Sequence, residues 1–204
     1  MRTQRIAAWV AMGMATALLA GCRVESDKHG DSDNVKISTP FGGMQVKTND
    51  SVVLESMGIS AYPGAQLVKK DKNNGAADVN MNFGSFQLRV KAVSYRTGDS
   101  PDKVEAFYRN DLKRYGDVIV CRDNRVVGTP VQTSQGLTCD NEVKGHISVN
   151  DHPGKGNLQL KTGSKQHQHL VEIDTDGSGT KFGLVALDLP GKMLNDSEND
   201  DTRQ

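Results

Sequence analysis

Phe86-Gln87-Leu88-Arg89-Val90-Lys91-Ala92 runs straight into Val93-Ser94-Tyr95, and soon afterwards Ser100-Pro101-Asp102-Lys103-Val104 starts a second pattern. These two patterns decide the fold. Phe86, Leu88, Val90 and Ala92 alternate with Gln87, Arg89 and Lys91. Period two is the mark of a strand with one apolar face. The phase slips at Ala92-Val93, and Tyr95 follows Val93 on the new phase. A slip of this kind predicts a β-bulge or the end of regular pairing. The second pattern is helical. Ser100 suits the N-cap, Pro101 the first turn, and Asp102 complements the positive end of the helix dipole. Val104, Phe107, Tyr108, Leu112 and Tyr115 recur at helical spacing and define a buried face, and Gly116 stops the helix.

Outward from this centre the chain reads mostly as strand. Val35-Lys36-Ile37-Ser38-Thr39 and Met44-Gln45-Val46-Lys47-Thr48 alternate on either side of Pro40-Phe41-Gly42-Gly43, which predicts a β-hairpin. Residues 52–59 fit a short helix or a strand equally. Tyr62-Pro63-Gly64-Ala65 is a turn signal, and residues 69–75 read as a charged, Asn-rich loop. Downstream, residues 117–121, 143–149, 158–161, 167–173 and 181–189 read as successive strands, with a turn at residues 174–179. One helix between β segments predicts an α+β fold: an antiparallel β-sheet with one main amphipathic helix packed on one face.

The N-terminus has a different texture. Arg2 and Arg5 precede an apolar stretch from Ile6 to Ala20, followed at once by polar residues. This is the pattern of a secretory signal, and it is short for a membrane span of about 20 residues. Leu19-Ala20-Gly21-Cys22 resembles the lipobox of bacterial lipoproteins. The resemblance implies cleavage before Cys22 and a lipid on that cysteine. An ordinary cleaved signal and an uncleaved anchor helix are the competing readings. One acyl chain binds a membrane only marginally, at about 0.8 kcal/mol per buried CH₂, whereas several anchor it firmly. Arg23 stands where an aspartate favours inner-membrane retention in enteric-type lipoproteins, so the resemblance implies an outer-membrane address facing the periplasm. The expected organisation is a signal at residues 1–21, the lipidated Cys22 with a flexible tether over residues 22–34, one α+β domain over residues 35–190, and a disordered acidic tail at residues 191–204.

The chain carries 25 basic and 25 acidic residues. Loss of Arg2 and Arg5 with the signal leaves the remainder slightly acidic, so the basic footprint of nucleic-acid binding is missing. The same cleavage removes Trp9, the only tryptophan. Assigning Cys22 to lipid leaves Cys121 and Cys139. In an exported chain this pair is expected to form a structural disulfide, since its spacing suits neither Cys-x-x-Cys redox chemistry nor a metal site.

Motifs for chemistry are sparse. His167 and His169 share one face of a predicted strand and are weak metal candidates, with His146 and His152 as conceivable third ligands. Val171 and Ile173 continue that face, which favours a structural role, and a catalytic zinc usually takes three protein ligands. Asp174-Thr175-Asp176-Gly177-Ser178-Gly179 resembles the start of a calcium loop, but its twelfth position is Val185 where a bidentate Glu is needed, so a hairpin turn is expected. The sequence has no nucleophile elbow and no phosphate loop. No cofactor and no catalytic residue is nominated.

Three segments resemble, together, an uncharacterised group of exported bacterial proteins. They are Tyr62-Pro63-Gly64-Ala65, then Tyr95-Arg96-Thr97-Gly98-Asp99-Ser100-Pro101-Asp102-Lys103-Val104 with Phe107-Tyr108, and Gln168-His169-Leu170-Val171-Glu172-Ile173 with Gly179-Thr180-Lys181-Phe182. The resemblance covers about residues 58–190 and implies a shared fold, with no activity to carry over. The expected function is a non-catalytic binding or scaffolding module of the cell envelope, held on the lipid bilayer through acylated Cys22, with an envelope protein as possible partner. The competing readings are a metal-dependent enzyme using His167 and His169, and an accessory or sensor subunit of a membrane complex.

Overall fold

The computed structural model describes residues 22–29, 32–69, 75–139 and 158–190. The expected signal sequence, the expected acidic tail and the strand expected at residues 143–149 lie outside them. The strand read from Phe86 is β6, Phe86–Thr97, and it is the spine of the molecule. On one side it pairs with β5, Ala76–Phe83, and on the other with β11, Gly179–Asp188. The remaining strands are β1, Arg23–His29; β2, Ser32–Thr39; β3, Gly42–Lys47; β4, Gln66–Leu67; β7, Val118–Arg122; β8, Arg125–Val126; β9, Leu158–Gly163; and β10, His167–Asp176. The sheet is antiparallel, in the order β1-β2-β3-β5-β6-β11-β10-β9-β7-β8, with β4 added alongside β6.

Two helices pack on one face of this sheet, so the fold is α+β as expected, with one helix more. The segment that fitted either helix or strand forms α1, Asp50–Met57, which lies on β5 and β6. Its start is fixed by Asn49, whose side-chain oxygen accepts from the Val52 amide at 3.2 Å, and its end by Gly58 in the left-handed conformation. The second helix, α2, spans Pro101–Asp111 and lies on β9, β10 and β11. It tightens into a 3₁₀ turn, Leu112–Tyr115, before Gly116. Ser100 takes the N-cap backbone conformation, but its hydroxyl makes no cap bond, so only part of the expected cap is realised.

The helices cover one buried cluster. Val104, Tyr108 and Leu112 from the second helical unit and Val53 and Met57 from the first meet Val93, Tyr95, Val171, Ile173, Phe182 and Leu184 of the sheet. Phe182 sits centrally, with ring centroids 5.5 Å from Tyr108, 5.6 Å from Tyr95 and 5.8 Å from Tyr62. Burial pushes the Tyr108 hydroxyl pKa far up.

Two expectations fail for physical reasons. The phase slip at Ala92-Val93 is not a bulge. β6 pairs without interruption from Arg89 to Thr97 against β11 and from Phe86 to Val93 against β5. What changes is the apolar side: Val93 and Tyr95 point under the helices, whereas Phe86, Leu88, Val90 and Ala92 point to the opposite face. The tether is also corrected. Arg23 to His29 pairs along its whole length with β2, from Arg23↔Ser38 to His29↔Ser32. Polar side chains such as Glu25 and Asp27 suit a strand at the sheet edge, where both faces are wet.

Candidate functional site

Register carries β6's change of side across the sheet. On the face away from the helices, Val24 pairs with Ile37, Ile37 with Met44, Met44 with Met81, and Met81 with Leu88. One step further along the strands, Val35, Val46, Val79, Val90 and Leu187 form a second apolar row through the same ladders. Among the described residues, no helix lies over these rows, since both helices pack on the other side. Val24 is 66% exposed and Ile37 is exposed at the same edge. Towards β11 the same face closes over buried Val185, Leu187 and Leu189.

The far end of that face is built by the cysteine loop. Cys121 of β7 and Cys139 are joined in a disulfide, with 5.6 Å between their Cα atoms. Ile119 and Leu137 are buried beside them. Thr133 donates its hydroxyl to the Gly163 carbonyl at 2.8 Å, and the buried Lys161 ammonium donates to the Cys139 carbonyl at 3.1 Å. The loop thereby folds over β9 and satisfies its buried polar groups internally.

His167 and His169 line a shallow cleft of about 100 Å³ on the helix side, with Ser56, Arg89, Lys91 and Asp188. Each ring has its own neighbour. His167 Nδ1 lies 2.9 Å from Asp188 Oδ1. His169 stacks on Tyr115 at 3.9 Å between centroids, and burial holds its imidazole below the usual pKa. Lys91 donates to the Ser56 carbonyl at 2.7 Å, the favourable place for a cation at the C-terminal end of α1. Among the described residues no three His, Cys, Asp or Glu side chains are grouped to hold a metal ion. His146 and His152 lie outside those residues. The candidate calcium loop is a tight β10–β11 hairpin turn: Asp176 pairs with Gly179, and Asp176 lies 3.4 Å from Arg96. Val185 is buried within β11.

The three segments quoted for the resemblance converge in the core. Tyr62 donates its hydroxyl to Asp99 at 2.9 Å, and Thr180 donates to the Asp99 carbonyl at 2.7 Å. The Lys103 ammonium, 2.9 Å away, and the Tyr62 hydroxyl hold the Asp99 carboxyl below its usual range. Phe107 stacks edge-on against Tyr62 at 5.1 Å. This constellation locks the Tyr62 turn to the start of α2 and to β11, which is a structural task. No family model matches the chain, and no curated protein or solved structure matches it.

Cys22 is exposed and immediately precedes β1. No helix among the described residues is long and apolar enough to cross a membrane.

Proposed function

We propose that this chain is an outer-membrane-anchored, periplasm-facing lipoprotein whose α+β domain is a non-catalytic binding module of the cell envelope. The observation that supports the binding role is the row Val35-Val46-Val79-Val90, set side by side on four strands with no described helix over it. A sheet face of this composition is apolar surface seeking cover. Its chemistry suits an apolar segment of an envelope protein. The anchoring role rests on the lipobox resemblance and on Cys22 standing free at the head of β1. The histidine alternative has less support, because His167 and His169 are engaged with Asp188 and Tyr115 separately.

Two measurements test the reading. Metabolic labelling with an alkyne palmitate should mark the wild-type chain and not Cys22→Ser, and the label should sediment with outer-membrane fractions. A photo-reactive residue at Val79 should give one discrete adduct in cells, lost when Val90→Lys is added. The same residue at exposed Glu55 on α1 should give none. Equal crosslinking from both positions would sink the binding role.

A further inference from the structure

The start of β1 sets how far the domain can stand from its anchor. Cys22 is one residue from Arg23, which already pairs with Ser38. A single residue step spans 3.8 Å between Cα atoms, so an acyl group on Cys22 leaves almost no leash. Whatever shares that end of the sheet must lie at the bilayer surface.

The register shows what shares it. Cys22 precedes the Arg23–Ser38 pair by one residue, Thr39 follows Ser38, and Thr39 pairs with Gly42, Gly42 with Phe83, and Phe83 with Phe86. Three strand spacings of about 4.8 Å separate β1 from β5, so Phe83 falls roughly 14 Å from the start of β1, with Phe86 one spacing further on. The β2–β3 turn presents Phe41, 85% exposed, and the β5–β6 hairpin presents Phe83, 41% exposed. A Cβ on Gly42 would fall 2.8 Å from the Phe83 ring, so glycine there lets the two tips sit together. Phe83 and Phe86 lie on the same side of the sheet as Val24 and Ile37, the apolar side, at the edge that Cys22 leads into.

We propose that this rim is a membrane-contact surface, with Phe41 and Phe83 dipping into the interfacial zone of the bilayer that holds the acyl chains of Cys22. The inference rests on the anchoring reading above. The aromatic tips add a second, non-covalent contact and fix the tilt of the sheet, so that the helix-covered core at the Thr97 end points away from the lipid. Exposed phenylalanines gain from burial at the headgroup boundary, and contacts there reach about 5–10 Å deep.

Loss of Trp9 with the signal makes a tryptophan placed in the mature chain the sole reporter. The full chain carrying Phe41→Trp is purified from membranes and placed in phosphatidylethanolamine–phosphatidylglycerol vesicles with brominated acyl chains. A parallel chain carries Ser178→Trp, at the exposed β10–β11 turn on the opposite end of the sheet. An intact mass is recorded for each. The expected result is an acylated Cys22, a blue-shifted emission and an about twofold bromine quench for Phe41→Trp, the depth at which interfacial groups lie, with none for Ser178→Trp. Phe83→Trp should behave like Phe41→Trp. An acylated chain whose two ends quench equally overturns the inference and leaves the anchor standing. An unmodified Cys22 overturns both.

Discussion

The two halves of β6 bury opposite faces. From Val93 onward the apolar side chains point beneath α1 and α2, and they are sealed with Tyr108 and Phe182. Before Ala92 they point to the other side, where the neighbouring strands continue the stripe and no described helix covers it. One strand therefore serves two purposes: the helix-covered half holds the fold together, and the open half offers surface. A change of apolar phase within one unbroken strand marks a change in which face is covered, and it need not mark a bulge.

That contrast can be broken by experiment. The largest effect is expected at Phe182→Ala, which empties the centre of the aromatic cluster and should cost about 3–5 kcal/mol in denaturant unfolding. If it costs no more than Leu88→Ala on the open face, the two halves are not different. Replacing Cys121 and Cys139 by Ser opens an 18-residue separation and should cost about 3 kcal/mol. Thiol titration of the denatured, unreduced wild type should find neither cysteine free. Within β6 itself, Val93→Ala should cost about 2 kcal/mol and Val90→Ala about half of that, because Val93 is fully enclosed and Val90 only partly buried. Equal losses would show that the open face is as tightly packed as the core.

The smallest effect is a pH dependence. His169 has its pKa lowered by burial and by the Arg114 charge, against opposing pulls from the Met57 carbonyl and Asp188. The unfolded chain therefore takes up the proton first, starting near the ordinary histidine value of about 6.5. Stability from this site is complete above that value and falls as pH drops below it, until the folded form also protonates. Melting temperatures from pH 7.5 to 5.5 should decline for wild type and decline less for His169→Gln, which keeps a polar group against Tyr115. An unchanged slope would remove His169 as the cause. His167, Arg89 and Asp188 stand in the same cleft and must be unaltered in both chains.

Much of the covered half was legible. Val104, Phe107, Tyr108 and Leu112 show the face of α2 by spacing alone, whereas in the open half the only hairpin marked was β2–β3, by Pro40 to Gly43. The open half was less so. β5 escaped because Asn80 and Asn82 disfavour strand and leave only Val79, Met81 and Phe83 to signal it. β1 escaped because an edge strand with two wet faces has no apolar period to find. The candidate surface was invisible for a further reason. Its rows join residues such as Met44 and Met81 that are distant in sequence, and only the register of several hairpins brings them together. The disulfide was accessible from the cysteine count once Cys22 was set aside.

The two borders of the sheet formed by the described residues have one more consequence, for how copies of the chain meet. An unpaired strand edge is a template for pairing with another chain. Here one border, β8, is only two residues long, and the other, β1, carries Arg23, Glu25 and Asp27 with an Arg23–Glu25 pair at 2.7 Å. Short edges and charged edges both discourage strand-to-strand stacking. The charged residues of β1 and the shortness of β8 thus make edge-to-edge pairing between copies of the chain unfavourable.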